Sequence, residues 1–280
     1  MIPSNVVFAT LVCMGRHEDP GTSLSMTENW VRQLQYYGIP LEQQLLIAST
    51  DLKPAHARRA QQLGTQIMFK DPIETPNGRR EEQTIKLHLW NLTMYDRVVY
   101  YNSDFIFPQS PVACYDLCPN YATLCAVADD SRRAPWTSLM LPYKWRNFYT
   151  DFMIIKPSAA EFKWLYQHTK AARTPYVEQH YLNNEYRSRV QHISPSCNVN
   201  RAKQADFTDP NAIALRTEAW NTESMVWIAP HIRARIRLVP QFANPNSAHP
   251  VLNKVVTCCG GLVIAFGFLV FAALCQIMLF

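Results

Sequence analysis

Short runs of apolar, β-prone residues recur along this chain, each the length of one strand and separated by longer amphipathic or polar stretches. The runs are Val6–Cys13 (VVFATLVC), Gln44–Ser49 (QLLIAS), Thr65–Phe69, Arg97–Tyr101 (RVVYY), Leu124–Ala128, Phe152–Lys156 (FMIIK) and Ile236–Val239. Runs this short, apolar at nearly every position, suit strands covered on both faces, as in the centre of a parallel sheet. Between Thr22 and Tyr37 the residues Leu24, Met26, Trp30, Val31 and Leu34 follow a helical spacing that stops near Gly38. Pro54–Leu63, Gln83–Leu92, Ser158–Thr169 and Glu178–Tyr186 read as further helices. Strand and helix in alternation predict an α/β domain, doubly wound around one mixed, mostly parallel sheet.

Composition narrows the function classes. Thirteen Tyr, thirteen Phe and seven Trp in 280 residues supply a sizeable core, and no low-complexity or repeated segment is present. The formal charge is only +5. Its basic residues are scattered in short clusters such as Arg58-Arg59, Arg79-Arg80 and Arg132-Arg133. A nucleic-acid binder carries a dense basic stripe, so nucleic acid is not an expected partner. The eight cysteines form no CxxC pair, and none has zinc-like spacing to a further Cys or His. Their expected state is reduced thiols in a reducing compartment.

The C-terminal end reads differently from the rest. No charged residue follows Lys254, and Gly260–Phe280 has one strongly polar side chain, Gln276. Such a segment would make about 31 Å of helix without a polar face, enough for a bilayer core. A transmembrane helix is therefore expected over 258–280, after a Pro-, Asn- and Ser-bearing linker over 241–257 and a globular domain over 1–240. No secretory signal is visible at the N-terminus. The expected placement is a single-pass anchor in an endoplasmic reticulum or Golgi membrane, with the domain in the cytosol.

The most specific stretch runs from Lys86 to Asp104 (KLHLWNLTMYDRVVYYNSD). A strand-forming RVVYY leads into Asn102-Ser103-Asp104, and ligands of open α/β sheets gather outside the carboxyl ends of strands. The stretch resembles the K-L-x-x-W-x-L-x-x-Y…D-x-D run of glycogenin and related family 8 glycosyltransferases. In the same order, Phe152–Ser158 resembles that family's strand ending in P-S, Glu178–Asn183 (EQHYLN) its D-Q-x-x-L-N helix, and Trp220-Asn221 its downstream Y-N. The resemblance spans about residues 5–240. It implies a fold of the nucleotide-diphospho-sugar transferase (GT-A) type and retaining transfer of a hexose from a UDP-sugar. The acceptor, whether carbohydrate, lipid or protein, is not identified, and homodimerisation stays open.

By the same resemblance, Glu178, Gln179 and Asp151 are the expected catalytic residues. Leu11, Lys86, Asn102, Ser103, Asp104, Thr150 and Asn221 are expected to contact the nucleotide sugar. A divalent ion, manganese by family habit, would be held by Asp104 and Asn102, countering the diphosphate charge as the glycosidic bond breaks. Here the chain departs from its relatives. Asn102 replaces the first Asp and brings no charge, Tyr149 replaces a sugar-contacting Asn, and Asp151 replaces a Gly. The late histidine motif is missing: Pro240-Gln241-Phe242-Ala243 follows the last strand, and neither His231 nor His249 has the family context. The metal site is thus expected to be weakened. Against an active glycosyltransferase stands the alternative of a weak or inactive member of the fold, serving as a membrane-tethered binding or scaffold protein.

Overall fold

The protein is represented by a computed structural model, which describes residues 3–12, 20–74, 82–129, 147–171, 178–200 and 209–216. Chain contacts divide it into two units, Met1–Leu238 and Val239–Phe280, and every described residue lies in the first.

Strand β1 (Val6–Val12) is buried at every position, because its side chains alternate between two apolar layers. Val6, Phe8 and Val12 join one core cluster with Leu24, Trp30, Val31 and Leu34 of helix α1 (Pro20–Tyr36). Val7, Ala9 and Leu11 join the other, with Ile85, Leu87, Leu89 and Trp90 from a 3-10 helix over Glu82–Asn91. Full burial of each Leu, Val or Phe contributes roughly 1.5–3 kcal/mol, so a strand covered on both faces anchors both layers to the sheet. The stretch around Lys86 was expected as an amphipathic helix and is wound more tightly. Nearly all of its apolar residues are buried.

The main sheet has seven strands. β1 is flanked by β2 (Gln44–Ser49) and β4 (Arg97–Tyr101), with β3 (Gln66–Lys70) beyond β2, and these four are parallel. Helix α2 (Pro54–Gln61) crosses between β2 and β3. On the other side of β4 lie β7 (Phe148–Ile155), β6 (Leu124–Ala128) and β8 (Gln191–Ile193), in that order. Only β7 runs the opposite way, antiparallel to both β4 and β6. Its start therefore lies at the edge where the parallel strands end. Helices α4 (Ala159–Ala171) and α5 (Glu178–Tyr186) cover the second face, where Trp90 stacks on Tyr186 at 5.5 Å.

A small second sheet consists of β5 (Phe105–Ile106), β10 (Leu215–Arg216) and β9 (Val199–Asn200), with β10 in the middle. These strands, and β8, are two or three residues long, too short to leave a periodic pattern. Helix α3 (Val112–Asp116) lies after β5 in the chain.

Three expectations are corrected. The expected strand Phe152–Lys156 begins four residues earlier, at Phe148, because Asn183 captures that end: its amide oxygen accepts from Phe148 N at 2.6 Å, and its Nδ2 donates to Phe148 O at 2.9 Å. The membrane helix and the single-pass placement in an endoplasmic reticulum or Golgi membrane are not carried further. Among the described residues no helix is long and apolar enough to cross a membrane. The longest helix, α1, has 17 residues and is broken up by Glu28 and Arg32, whereas a span needs about 20 apolar ones. The segments 241–257 and 258–280, like the strand expected at Ile236–Val239, lie outside the described residues. The fold class is corrected to that of the described residues, a mixed α/β sheet with no helix among them that could span a membrane. The cysteines are the third correction. Cys114 is bonded to Cys197 and Cys118 to Cys125, so these four are not reduced thiols. Disulfides form and persist in oxidising surroundings, against the reduced thiols in a reducing compartment expected from the sequence.

The Cys114–Cys197 link closes a separation of 83 residues, against 7 for Cys118–Cys125. Loop-closure entropy then favours the longer link, at about 4–5 kcal/mol against about 2 kcal/mol. Cys197→Ala is expected to lower unfolding stability in urea by on the order of 3 kcal/mol, and Cys118→Ala by less. Equal midpoints for Cys197→Ala and the parent would show that the long link does not hold the fold.

Candidate functional site

At the edge where β4 ends and β7 begins, backbone pairing brings two acidic segments together. Tyr101 pairs with Phe152, and one step further Asn102 N donates to Asp151 O at 2.9 Å. The Asn102 side chain continues the pairing, with Nδ2 donating to Asp151 Oδ1 at 3.1 Å and Oδ1 accepting from the Tyr100 hydroxyl. Ser103 and Asp104 complete the turn before β5.

The turn is held from behind by aromatic packing. The Tyr101 ring meets Phe152 at 4.5 Å, Phe107 at 4.9 Å and Phe105 at 5.2 Å. From α1, Gln33 Nε2 donates to Phe105 O at 3.2 Å, and its oxygen accepts from Phe107 N at 2.8 Å. Tyr37 OH donates to Phe107 O at 2.8 Å. Residues on both sides of Asp104 are therefore fixed to the core, and the carboxylate is presented on a rigid support.

Lys86 and Glu178 form the most buried charged pair of the site. Lys86 Nζ lies 3.0 Å from Glu178 Oε1, with both side chains under a tenth exposed. It also donates to Thr150 O at 3.1 Å and sits 5.2 Å from the centre of the Tyr100 ring. Thr150 Oγ1 donates to Glu178 Oε2 at 3.0 Å. Burial pushes the Glu178 carboxyl above its ordinary range, opposed by Lys86 and the Thr150 hydroxyl and reinforced by Asp151. One turn along α5, Asn183 fastens the helix to Phe148, and Gln179 Nε2 donates to Asp129 Oδ2 at 3.2 Å. Asp129 N in turn donates to Asn147 O at 2.7 Å.

Arg216, the last residue of β10, was not among the expected site residues. Its Nε lies 2.9 Å from Asp104 Oδ2, and Nη1 is bonded to Asp151 Oδ2. Burial alone would lower the guanidinium, but Asp104 and Asp151 together raise it further above its ordinary value. Asp104 is itself raised by burial, against the pull of Arg216.

The structure thus joins Lys86, Asn102, Asp104, Thr150, Asp151 and Glu178 through direct contacts, with Gln179 bonded to Asp129 beside them. Leu11 is buried at the end of β1, in the core cluster that includes Ile85 and Phe148. Tyr149 packs, partly buried, against the opposite cluster. Asn221, Arg79, Arg80, Cys13, Met14, His231 and His249 lie outside the described residues.

The expected metal ligands do not fit a divalent ion. Asp104 Oδ2 and Asp151 Oδ2 are taken by Arg216, and both polar atoms of the Asn102 amide are engaged. Asp104 Oδ1 is the carboxylate oxygen of this loop left buried without a hydrogen bond. Among the described residues no group of three His, Cys, Asp or Glu side chains could hold a metal ion, whereas hard divalent cations need about six oxygens.

No family model matches the chain, and no curated protein does. Solved structures do match. The galactosyltransferase LgtC, crystallised with donor and acceptor sugar analogues, is 12% identical, covers 84% of this chain and 95% of its own, and gives a TM-score of 0.54. The bifunctional glycosyltransferase WbbM is 14% identical over 83% of this chain and 51% of its own, with a TM-score of 0.57. The glycosyltransferase GlyE of Streptococcus pneumoniae TIGR4 is 13% identical over 83% of this chain and 63% of its own, with a TM-score of 0.53. At such identities the likeness is one of architecture, and the chain has the GT-A glycosyltransferase fold.

Proposed function

We propose that the protein is a glycosyltransferase that moves a hexose from a UDP-sugar to a carbohydrate, lipid or protein acceptor with retention of configuration. The observation that carries this reading is the charged cluster at the ligand edge of the sheet, in which the buried Lys86–Glu178 pair is joined through Thr150 and Asp151 to the Asn102–Asp104 turn. In open α/β sheets this edge is where ligands bind. A transferase needs fixed dipoles and charges around the departing diphosphate, and groups already held by their neighbours cost no reorganisation during the reaction.

In this reading Lys86 and Arg216 face the leaving group, while Asp151 and the Glu178–Gln179 helix start lie toward the sugar. Glu178 has both oxygens bound to its neighbours, so its task is to hold Lys86 and Thr150 in place. The acceptor then attacks on the face that the phosphate leaves. A second reading, a nucleotide-sugar-binding protein with little turnover, is favoured by the engagement of Asp104 and Asp151 with Arg216.

Release of free sugar and UDP from a panel of UDP-sugars separates the two readings. The expected outcome is hydrolysis of at least one donor, lowered about 100-fold or more by Asp151→Asn. Binding of UDP without turnover supports the second reading, and failure of the whole panel to bind overturns both. The buried pair makes a further test. Lys86→Met removes the cation that holds the Glu178 carboxyl down, so that carboxyl rises further. A raised acid contributes stability at low pH that is lost as pH climbs through its folded value. The variant is therefore expected to lose about 3 kcal/mol in urea unfolding at pH 8 and clearly less at pH 5. A deficit independent of pH would mean that the two charges are not coupled.

A further inference from the structure

Arg216 stands where a divalent ion would be expected, and three observations make its contact a built one. The guanidinium reaches both acidic segments at once, through Nε to Asp104 and Nη1 to Asp151. The side chains of Arg216, Asp104 and Asp151 are only 25%, 21% and 11% exposed. The backbone that delivers it is fixed on both sides, since Arg216 pairs with Phe105 and with Asn200. Just before it, Ile213 N and Ala214 N both donate to Ser196 O, at 2.9 and 3.1 Å, next to the disulfide-bonded Cys197.

A guanidinium has five N–H donors in one plane. With Nε and Nη1 turned to carboxylates and no Nη2 hydrogen bond among the described residues, one edge remains for an anionic oxygen. We propose that Arg216 replaces the divalent ion at this site: it holds the acidic turn as an internal cation, and a nucleoside diphosphate bound there meets the guanidinium instead of a metal. A dication competing for the same oxygens would be repelled by it. The ligand named here rests on the donor-site reading above, whereas the competition with metal does not.

Calorimetric titration of the full chain tests this, first with Mn2+ alone and then with UDP in EDTA or in Mn2+. The parent is expected to show no Asp104-dependent Mn2+ site, and its UDP affinity should agree within about twofold in the two buffers. Arg216→Met should bind UDP about 10-fold or more weaker in EDTA. Arg216→Lys keeps the charge without the two-pronged geometry, and should fall between them while preserving the fold. Mn2+ binding by the parent that Asp104→Asn removes would overturn the proposal, as would UDP affinity rising tenfold with Mn2+ or staying unchanged in both Arg216 variants. Absence of UDP binding in every buffer defeats the donor-site reading instead, and the Mn2+ titration of parent against Arg216→Met then decides the role of Arg216.

Discussion

The contact between Lys86 and Glu178 is the charged link among three pieces of chain that also share one apolar cluster. Lys86 comes from the 3-10 helix, Glu178 from the start of α5, and Thr150, which touches both, from β7. Taking two charges out of water is expensive, and their attraction offsets the cost only when the remaining hydrogen-bonding capacity is also met. Here it is largely met by Thr150, whose carbonyl accepts from the lysine while its hydroxyl donates to the glutamate. Such a pair adds little net stability, but it makes most alternative packings costly, since either partner alone would be a buried unpaired charge. Together with the two bonds from Asn183 to Phe148, it sets β7 against α5, and with β7 the position of Asp151.

The second charged group obeys a different balance. Asp104 and Asp151 are closer to solvent than Glu178, and one guanidinium serves both. The result leaves about one negative charge where a dication would have left none, so an arriving diphosphate must be met by the free edge of the guanidinium against a residual negative charge. At an effective dielectric of about 20, opposite unit charges 4 Å apart attract by about 4 kcal/mol, and a dication would roughly double that. The exchange of metal for arginine gives up attraction and gains permanence, because an arginine cannot be removed by dilution or chelation.

The sheet was largely legible in the residues because its strands are covered on both faces. Val6–Val12, Gln44–Ser49 and Arg97–Tyr101 announce themselves as short runs that are apolar at nearly every position. β5, β8, β9 and β10 do not, since two or three residues carry no period and take their conformation from their neighbours. That is also why Arg216 was missed: its neighbours in sequence say nothing of Asp104, which lies 112 residues earlier. The Asn102–Asp104 turn was found because the strand before it is strong. Its electrostatic state was not, because charge compensation is a property of the folded arrangement. Asn102 offers a milder case. Its lack of charge was plain from the sequence, whereas its use as a bridge from Tyr100 to Asp151 required the start of β7 beside it. The disulfides were not legible for the same reason, since Cys114 and Cys197 meet only once α3 and the turn before β9 are folded.

The hydrogen bond from Asp129 to Asn147 has a consequence for how such a chain can diverge. It brings together, at 2.7 Å, the two ends of the segment 130–146, beside the residues that carry Gln179 and Phe148. A connection whose ends are already pinned can be lengthened at small entropic cost, about 0.6 kcal/mol for each doubling. Insertions there would leave the pairing of β6 with β7 untouched. Length differences among chains that share this framework are therefore expected to collect between 130 and 146, while the bonded ends and the charged cluster beside them are kept.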